Sequence, residues 1–517
     1  MASPARAALK RAPHQLRRSQ LLRIPRFSRF SFPIRQYSDQ ADQDQTFNIH
    51  RVVFTGPSPR KAKGPNQTPR KEPVEELTEP IEERTEQGYS IPSRTFPREV
   101  VGAASVLIQD NTLKVRKTKS STKNLDISIP NVWLRDNCRC SQCIHPDTRQ
   151  RMIDTFSVAM DATIESAERT QDGTTIHWTD GHESHFPDEY ILLATSTAVR
   201  RAMVRQGITP VRLWGSKIEE TAEAAGVDAN DVLEGDYPLK KLLYNIVSSR
   251  LPSHHALTHL TRIFQRTFGF TYITIPDATS QSPESLLATT EKVLRRIAFI
   301  RETHYGGFYD FTADLASADT AYTNIALEAH TDNTYFSDPA GLQAFHLISH
   351  TDGEGGASLL VDGFRAALQL LKQDYHAYRT LSEVNVYSHA SGNDGISIQP
   401  YRGFPVFEHD PATRHLLRVR WNSADRAGIA VSPEHSKRWY KAAAKFNDIL
   451  KSQESEYWAQ LTPGKILIFD NWRVLHGRSA FTGKRRICGA YINRDDWISR
   501  LKMLQFGQET VLDSLGL

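Results

Sequence analysis

Three of the chain's four cysteines fall within six residues, as Cys138-x-Cys140-x-x-Cys143, and the fourth, Cys488, is far downstream. An odd local number cannot close on itself as disulfides, and three thiolates on one tight loop fit a soft cation. Tetrahedral zinc needs a fourth ligand. His182, in HWTDGHESHF, is the candidate, with His145 and His185 as rivals. Four protein ligands make a closed site, so the zinc is expected to be structural. Short alternating runs surround the cluster (ASVLIQ, TLKVRK, ATIESAERT, TTIHWTD, SHFPDEYIL), with Asp172-Gly173 as a hairpin signal and Gly181 at a second turn. Residues 99–195 therefore read as a small zinc-binding β domain.

What precedes this domain has another character. Residues 1–38 hold nine basic residues (Arg6, Lys10, Arg11, Arg17, Arg18, Arg23, Arg26, Arg29 and Arg35) and no acid. With Ser and scattered Leu, Ile and Phe, this is transit-peptide composition, which predicts cleavage near Gln36 to Ser38 and delivery to the mitochondrial matrix. The formal charge of +5 loses those nine and leaves −4 on the remainder. A nucleic-acid binder keeps its basic surface in the folded body, so that class is excluded, Arg135, Arg139, Arg149 and Arg151 around the cysteines notwithstanding. Residues 39–98 follow as a linker. The stretch 56–98 has eight prolines among Lys and Glu blocks, too little apolar surface to offset its ordering entropy. The sequence contains no run of 18 apolar residues, so no membrane-spanning helix is expected.

Residues 196–245 read as linking helices, with DYPLKKLLYNIVSSRL running slightly past that limit. HLTRIFQRTFGFTYITIPD reads as a helix running through Gly269 into a strand. SPESLLATTEKVLRRIAFIRETHYG reads as a helix with a Ser-Pro-Glu start and apolar residues at Leu286, Leu287, Val293, Leu294 and Ile297. Many strands with few helices are expected after it, a mainly β, jelly-roll double sheet over residues 246–510.

Three strings in that region carry the chemistry. In AYTNIALEAHTDNTYF, strand periodicity puts His330 and Asp332 on one face. LTPGKILIFDNWRVLHGR supplies His476 after an apolar strand. Two histidines and one carboxylate suit the facial triad of non-heme Fe(II), which leaves three positions open for co-substrate and oxygen. In TGKRRICGAY, Arg485 can grip a carboxylate through two parallel hydrogen bonds, as a 2-oxoglutarate anchor must, with Arg486 as its rival.

The strings HTDNTYF, GLQAFHLISH, GGASLLVDGF, FDNWRVLHGR and CGAYINRDDW resemble the taurine dioxygenase-like superfamily of Fe(II)/2-oxoglutarate oxygenases, and most closely its carnitine-biosynthesis branch. LRDNCRCSQC followed by DGHESHF is similar to the zinc-binding N-terminal domain of that branch, and the resemblance spans about residues 100–510. It implies a double-stranded β-helix oxygenase domain, iron ligands at His330, Asp332 and His476, and zinc ligands at Cys138, Cys140, Cys143 and His182. It places the co-substrate arginine at Arg485 and a helping hydroxyl at Ser358, where relatives usually have Thr. Because the branch's substrate is a quaternary ammonium cation that cannot donate hydrogen bonds, aromatic faces must recognise it. The cage positions fall on Tyr305, Tyr309, Tyr322 and Tyr491, with Tyr309 replacing a Trp common in relatives. Asn422, Asp425 and Arg426 are candidates for an amino-acid end of the substrate.

The activity so implied is hydroxylation of Nε-trimethyllysine at C3, with succinate and carbon dioxide as co-products. O2 is the second co-substrate, ascorbate keeps the iron ferrous, and the assembly is a homodimer. The alternative within the branch is γ-butyrobetaine hydroxylation. The alternative of another class is an inactive scaffold acting through its zinc module, against which the intact triad and Arg485 speak.

Overall fold

The computed structural model describes residues 104–508 and 511, apart from 110–111, 119–123, 159, 161, 196–211, 220–225, 247–267, 313–322 and 412–413. The transit-peptide and linker expectations, residues 196–211 and 220–225 of the 196–245 segment and the helix before Gly269 lie outside the described residues; the described rest of that segment holds helix α3 (Ala229–Glu234) and most of α4 (Asp236–Ile246).

The N-terminal part has two three-stranded antiparallel sheets. One joins β1 (Ala104–Gln109), β2 (Thr112–Thr118) and β3 (Asn124–Ser128), and the other β4 (Ile164–Arg169), β5 (Gly173–Trp178) and β6 (Glu183–Pro187). Val106, Leu113, Val115, Ile164, Ile176, Trp178 and Phe186 form one core from both sheets. Helix α1 (Asn131–Asp136) leads into the cysteine loop. The string SHFPDEYIL is not one strand. It divides into β6 and helix α2 (Asp188–Ala194), because Pro187 cannot donate to the ladder and so short an apolar run does not distinguish helix from strand.

The C-terminal part is a mixed structure of sheets and helices. Six strands form one sheet: β7 (Val227–Asp228), β8 (Phe270–Thr274), β9 (Phe308–Thr312), β11 (Leu342–Thr351), β18 (Lys465–Asp470) and β20 (Lys484–Ile492), in the order β7-β8-β18-β11-β20-β9. A four-stranded sheet faces it, formed by β10 (Leu327–His330), β12 (Ser358–Asp362), β17 (Tyr457–Ala459) and β19 (Val474–Arg478), in the order β10-β19-β12-β17. Both sheets are antiparallel except for the β7–β8 pair, and between β12 and β17 the chain forms two short antiparallel ribbons, β13 (Val386–Ser388) with β16 (Arg426–Ile429) and β14 (Phe407–His409) with β15 (Leu416–Val419).

Strand alternation decides which side chains enter the space between the sheets. On β20, Cys488, Ala490 and Ile492 join a core beneath helices α4 (Asp236–Ile246), α5 (Pro283–Ile297) and α9 (Arg494–Phe506), while Arg485, Ile487 and Tyr491 turn inward. On β18, Ile466 and Ile468 face the helices, and Leu467 and Phe469 face the opposing sheet. With both faces covered, KILIFD reads as an unbroken apolar run.

Helix α5 starts as its sequence requires. Ser282 accepts a hydrogen bond from the Ser285 N–H and Pro283 occupies the first turn. His346 on β11 is buried against it. Its Nε2 accepts from the Gly464 N–H at 2.8 Å, and its Nδ1 lies 2.7 Å from Thr290 Oγ1. Burial pushes this imidazole down to about 4, so it stays neutral and ties β11 to α5 and to the turn before β18.

Helices are more numerous than expected beyond α5. α6 (Gly363–Gln373), α7 (Tyr375–Glu383) and α8 (Ser436–Leu450) cover the outer face of the four-stranded sheet, and α9 follows β20. Asp362, at the end of β12, begins this layer. It caps α6 by accepting from the Phe364 and Arg365 N–H groups, and it takes a two-pronged ion pair from Arg473 at 3.0 and 2.8 Å, both side chains fully buried. Breaking such a pair leaves a buried charge uncompensated, at a cost of about 3–5 kcal/mol. The pair therefore fixes β12 against the start of β19, two residues before His476.

Candidate active site

The two sheets enclose a cavity of about 890 Å³, measured out to open solvent. His330, Asp332 and His476 offer ligand atoms that all lie within 4.8 Å of one another. Asp332 Oδ1 is 3.2 Å from His330 Nε2 and 3.8 Å from His476 Nε2, with side chains 19%, 17% and 8% exposed respectively.

The route by which His330 and Asp332 meet differs from strand periodicity. β10 ends at His330, which pairs across with His476, and Asp332 lies beyond the last strand residue. Side chains one strand apart would leave the carboxylate position to the ladder; here the backbone is fixed by partners outside it. The Thr331 N–H donates to Trp421 O, the Asp332 N–H to Asn471 Oδ1, and Asn471 Nδ2 returns a hydrogen bond to Asp332 O. Asn333 then takes a left-handed φ of 61° and turns the chain away.

The electrostatics suit a cation. Burial alone would raise the Asp332 carboxyl, but His476, His330 and the Tyr491 hydroxyl outweigh it and hold the group well below the usual carboxylate range. Burial, then the neighbouring His330, pushes His476 down to about 3, so its Nε2 lone pair is available. His330 is raised. Burial opposes that shift, and the hydrogen bond and charge of Asp332 overcome it. The other His330 ring nitrogen lies 2.8 Å from Glu328 O, which fixes the ring.

Ser358 and Arg485 line the same cavity. Arg485 is buried, donates to Gly356 O at 3.3 Å, and has no ion pair among the described residues. Burial and then Arg478 lower its guanidinium to about 10, which still leaves it charged. Gly356 has φ +69°, and a Cβ there would stand 3.1 Å from Arg485 Nε, so the turn needs glycine. Arg486 is on the opposite face of β20, in a two-pronged pair with Asp310 at 2.9 and 2.6 Å.

Tyr305, Tyr309 and Tyr491 also border the cavity, and the rings of Tyr309 and Tyr491 meet edge to face at 5.8 Å. Gly489 permits this. A Cβ would collide with the Ala344 carbonyl, to which the Tyr309 hydroxyl donates at 2.9 Å. Tyr322 lies outside the described residues. Asn422 is not in this cavity. It borders a neighbouring one with Trp421, Arg426 and Trp439, and its amide is engaged in a local turn with Ala424 and Asp425.

Sequence reasoning missed two polar side chains that line the cavity, Gln343 and Arg478. Each had a signal. Gln343 is a polar residue at an inward position of an apolar strand, and Arg478 is two residues from His476. Arg478 donates to Thr323 O and Ile325 O at 2.6 and 3.0 Å and lies over the Phe481 ring.

In the N-terminal part, Cys138, Cys140, Cys143 and His182 form a second cluster, with His182 Nε2 at 3.3, 3.6 and 3.3 Å from the three sulfurs. The β5–β6 turn delivers His182 through Gly181 (φ 80°) and a hydrogen bond from the His182 N–H to Asp180 Oδ1. The rivals are elsewhere. His145 accepts from the Asp147 and Thr148 N–H groups, and His185 faces Thr175 and Asp172. Arg135 donates to Cys143 Sγ at 3.3 Å. Burial pushes the Cys143 thiol up to about 12 against that arginine's pull, so a metal must displace its proton.

Residues 249–491 match the family described as taurine catabolism dioxygenase TauD, TfdA, and residues 108–191 match the gamma-butyrobetaine hydroxylase-like N-terminal family. A Neurospora crassa protein named trimethyllysine dioxygenase is 43% identical over 417 residues, covering 74% of this chain and 82% of the relative. The chain belongs to the trimethyllysine dioxygenase family. Human mitochondrial trimethyllysine dioxygenase is 36% identical over 377 residues, 72% of this chain and 82% of its own length. A gamma-butyrobetaine dioxygenase from Pongo abelii is more distant, 28% identical over 385 residues, 73% of this chain and 91% of its own. As a member of the trimethyllysine dioxygenase family the chain is an enzyme, an Fe(II)/2-oxoglutarate dioxygenase. Among the described residues no helix is long and apolar enough to cross a membrane.

Proposed function

We propose that this chain hydroxylates Nε-trimethyllysine at C3, giving 3-hydroxy-Nε-trimethyllysine, succinate and carbon dioxide, the first step of carnitine biosynthesis. One observation carries the reading: two imidazoles, a carboxylate, a buried arginine and tyrosine rings converge on one cavity in a chain 43% identical to a trimethyllysine dioxygenase.

The donor set suits Fe(II), since two nitrogens and one carboxylate oxygen on one side leave adjacent positions open. His330, Asp332 and His476 would hold the ion, which with O2 and 2-oxoglutarate supplies the oxidising power to replace a C–H hydrogen by hydroxyl. Arg485 pairs with the far carboxylate of 2-oxoglutarate, and the Ser358 hydroxyl helps to orient it. Because burial keeps water from competing, this charge-assisted contact is strong. Tyr305, Tyr309, Tyr322 and Tyr491 surround the trimethylammonium group with ring faces. The cage acts by positioning, since the C–H bond held nearest the metal is the one oxidised. Asn422 acts at one remove, fixing the turn that carries Asp425.

Ascorbate would keep the iron reduced. Residues 1–38 would direct the chain to the mitochondrial matrix, in line with mammalian relatives named mitochondrial. Residues 39–98 link that segment to a zinc-binding domain (99–195), linking helices (196–245) and a double-stranded β-helix oxygenase domain (246–510), and the assembly is a homodimer. The zinc reading has its own test. Cys140→Ser should lower the melting temperature by several degrees, the scale of losing a structural ligand, with unchanged Fe(II) affinity. Loss of Fe(II) binding without loss of stability would contradict a structural zinc.

The substrate is tested by supplying the full chain with Fe(II), 2-oxoglutarate and ascorbate, and either trimethyllysine or γ-butyrobetaine. Hydroxylated product from trimethyllysine alone is expected. Product from γ-butyrobetaine alone would transfer the chain to the alternative reaction, and turnover of neither by iron-loaded protein would overturn the substrate and leave the fold standing.

A further inference from the structure

Gln343 and Tyr491 are direct neighbours across β11 and β20, and both turn into the cavity. Gln343 Nε2 donates to Asp332 Oδ2 at 2.6 Å, and the Tyr491 hydroxyl donates to the same oxygen at 2.6 Å. The other carboxylate oxygen, Oδ1, faces His330 Nε2 and His476 Nε2. The two donors therefore share one oxygen and leave the second to the histidine side.

The amide orientation follows from chemistry. An ionised carboxylate only accepts, so the NH2 end of Gln343 must face it and the carbonyl end points away. That end, Oε1, is buried without a hydrogen-bond partner among the described residues, in a side chain 1% exposed. An unsatisfied buried acceptor costs about 1–3 kcal/mol, so what accounts for a glutamine at this place in an apolar strand is its amide nitrogen, which donates to Asp332 at 2.6 Å and more weakly to the Tyr491 hydroxyl at 3.4 Å.

We propose that Gln343 and Tyr491 are positioning residues that hold Asp332 as a one-oxygen metal ligand. A carboxylate free to turn can bind a metal through both oxygens and would then occupy a position that the 2-oxoglutarate chelate needs. Two hydrogen bonds on Oδ2 oppose that rotation. The inference rests on the iron reading above. It gives Tyr491 two duties, its hydroxyl on the ligand and its ring edge against Tyr309.

The test is an anaerobic titration of the full chain with Fe(II), and with Co(II) as a spectroscopic stand-in, in wild type, Gln343→Leu and Tyr491→Phe. Gln343→Leu keeps the volume, and Tyr491→Phe keeps the ring. Each should weaken metal binding by about 10–100-fold, the usual effect of removing a partner of a metal ligand. At saturating metal, each should change the Co(II) absorption and weaken the visible charge-transfer band that forms when 2-oxoglutarate chelates Fe(II). Loss of packing alone would lower the melting temperature of the metal-free protein and leave the spectra of the folded fraction unchanged; that result overturns the proposal. If Gln343→Leu does not fold, Tyr491→Phe decides alone. Wild-type affinity and spectra in the variants would overturn this inference and leave the iron site standing. Failure of wild type to bind either metal would overturn the iron reading itself.

Discussion

Replacing Asp332 by Ala should reduce succinate formation at least about a thousandfold, equivalent to about 4 kcal/mol of lost transition-state stabilisation. The side chain is the only carboxylate in the triad, and no other acid lines the cavity among the described residues. Its removal leaves two imidazoles facing each other, with ring centroids 4.3 Å apart, and no anionic ligand to balance a divalent cation. The fold should survive, because the local backbone is fixed by Asn471 and Trp421 rather than by the carboxylate. The measurement is succinate release beside the melting temperature of the metal-free variant. Turnover within about tenfold of wild type would remove Asp332 from the metal site. A collapse in melting temperature would show the loss to be one of folding.

How far such a site can be read from sequence depends on whether neighbours along the chain or neighbours in space decide it. The strands were legible wherever alternation or a dense apolar run marked them, as in ASVLIQ, TTIHWTD and KILIFD. The layer of α6, α7 and α8 was not, because its apolar residues interleave with polar ones between strand-like segments, and what selects helix is the uncovered outer face of the four-stranded sheet. His330 and Asp332 come together by another route than their spacing suggests. The spacing suggests one strand face, and hydrogen bonds exchanged with Trp421 and Asn471, some 90 and 140 residues away, do the positioning. His182 stands first among three candidate histidines for the cysteine cluster, and it is the turn between β5 and β6 that brings its ring to the sulfurs. Gln343 carried a visible anomaly whose meaning appears only once β20 lies beside β11.

Arg485 and Arg486 pose the same problem in its sharpest form, because adjacent residues of a strand must face opposite ways and sequence alone does not say which faces in. The neighbours decide: Ile487 and Tyr491 line the cavity with Arg485, while Cys488 and Ala490 share Arg486's face. The two arginines therefore predict opposite results. Arg485→Ala should raise the KM for 2-oxoglutarate by about 30-fold or more, since truncating one partner of a buried charged pair costs about 2–5 kcal/mol. The KM for trimethyllysine should change by less than about threefold, because a defect confined to one ligand's carboxylate leaves the tyrosines proposed to hold the cation in place. Arg485→Lys should recover only part of the loss, a point charge being unable to reproduce two parallel hydrogen bonds. Arg486→Ala, which breaks partly exposed pairs with Asp310 and Glu284 outside the cavity, should alter both constants by less than about twofold. Steady-state kinetics with each substrate varied in turn separates these cases. Equal increases in both KM values for Arg485→Ala would place the residue in general support of the cavity. A larger 2-oxoglutarate defect in Arg486→Ala would mean that β20 pairs one residue out of register in the working enzyme, and every inward side chain of that strand, Tyr491 included, would have to be exchanged for its neighbour.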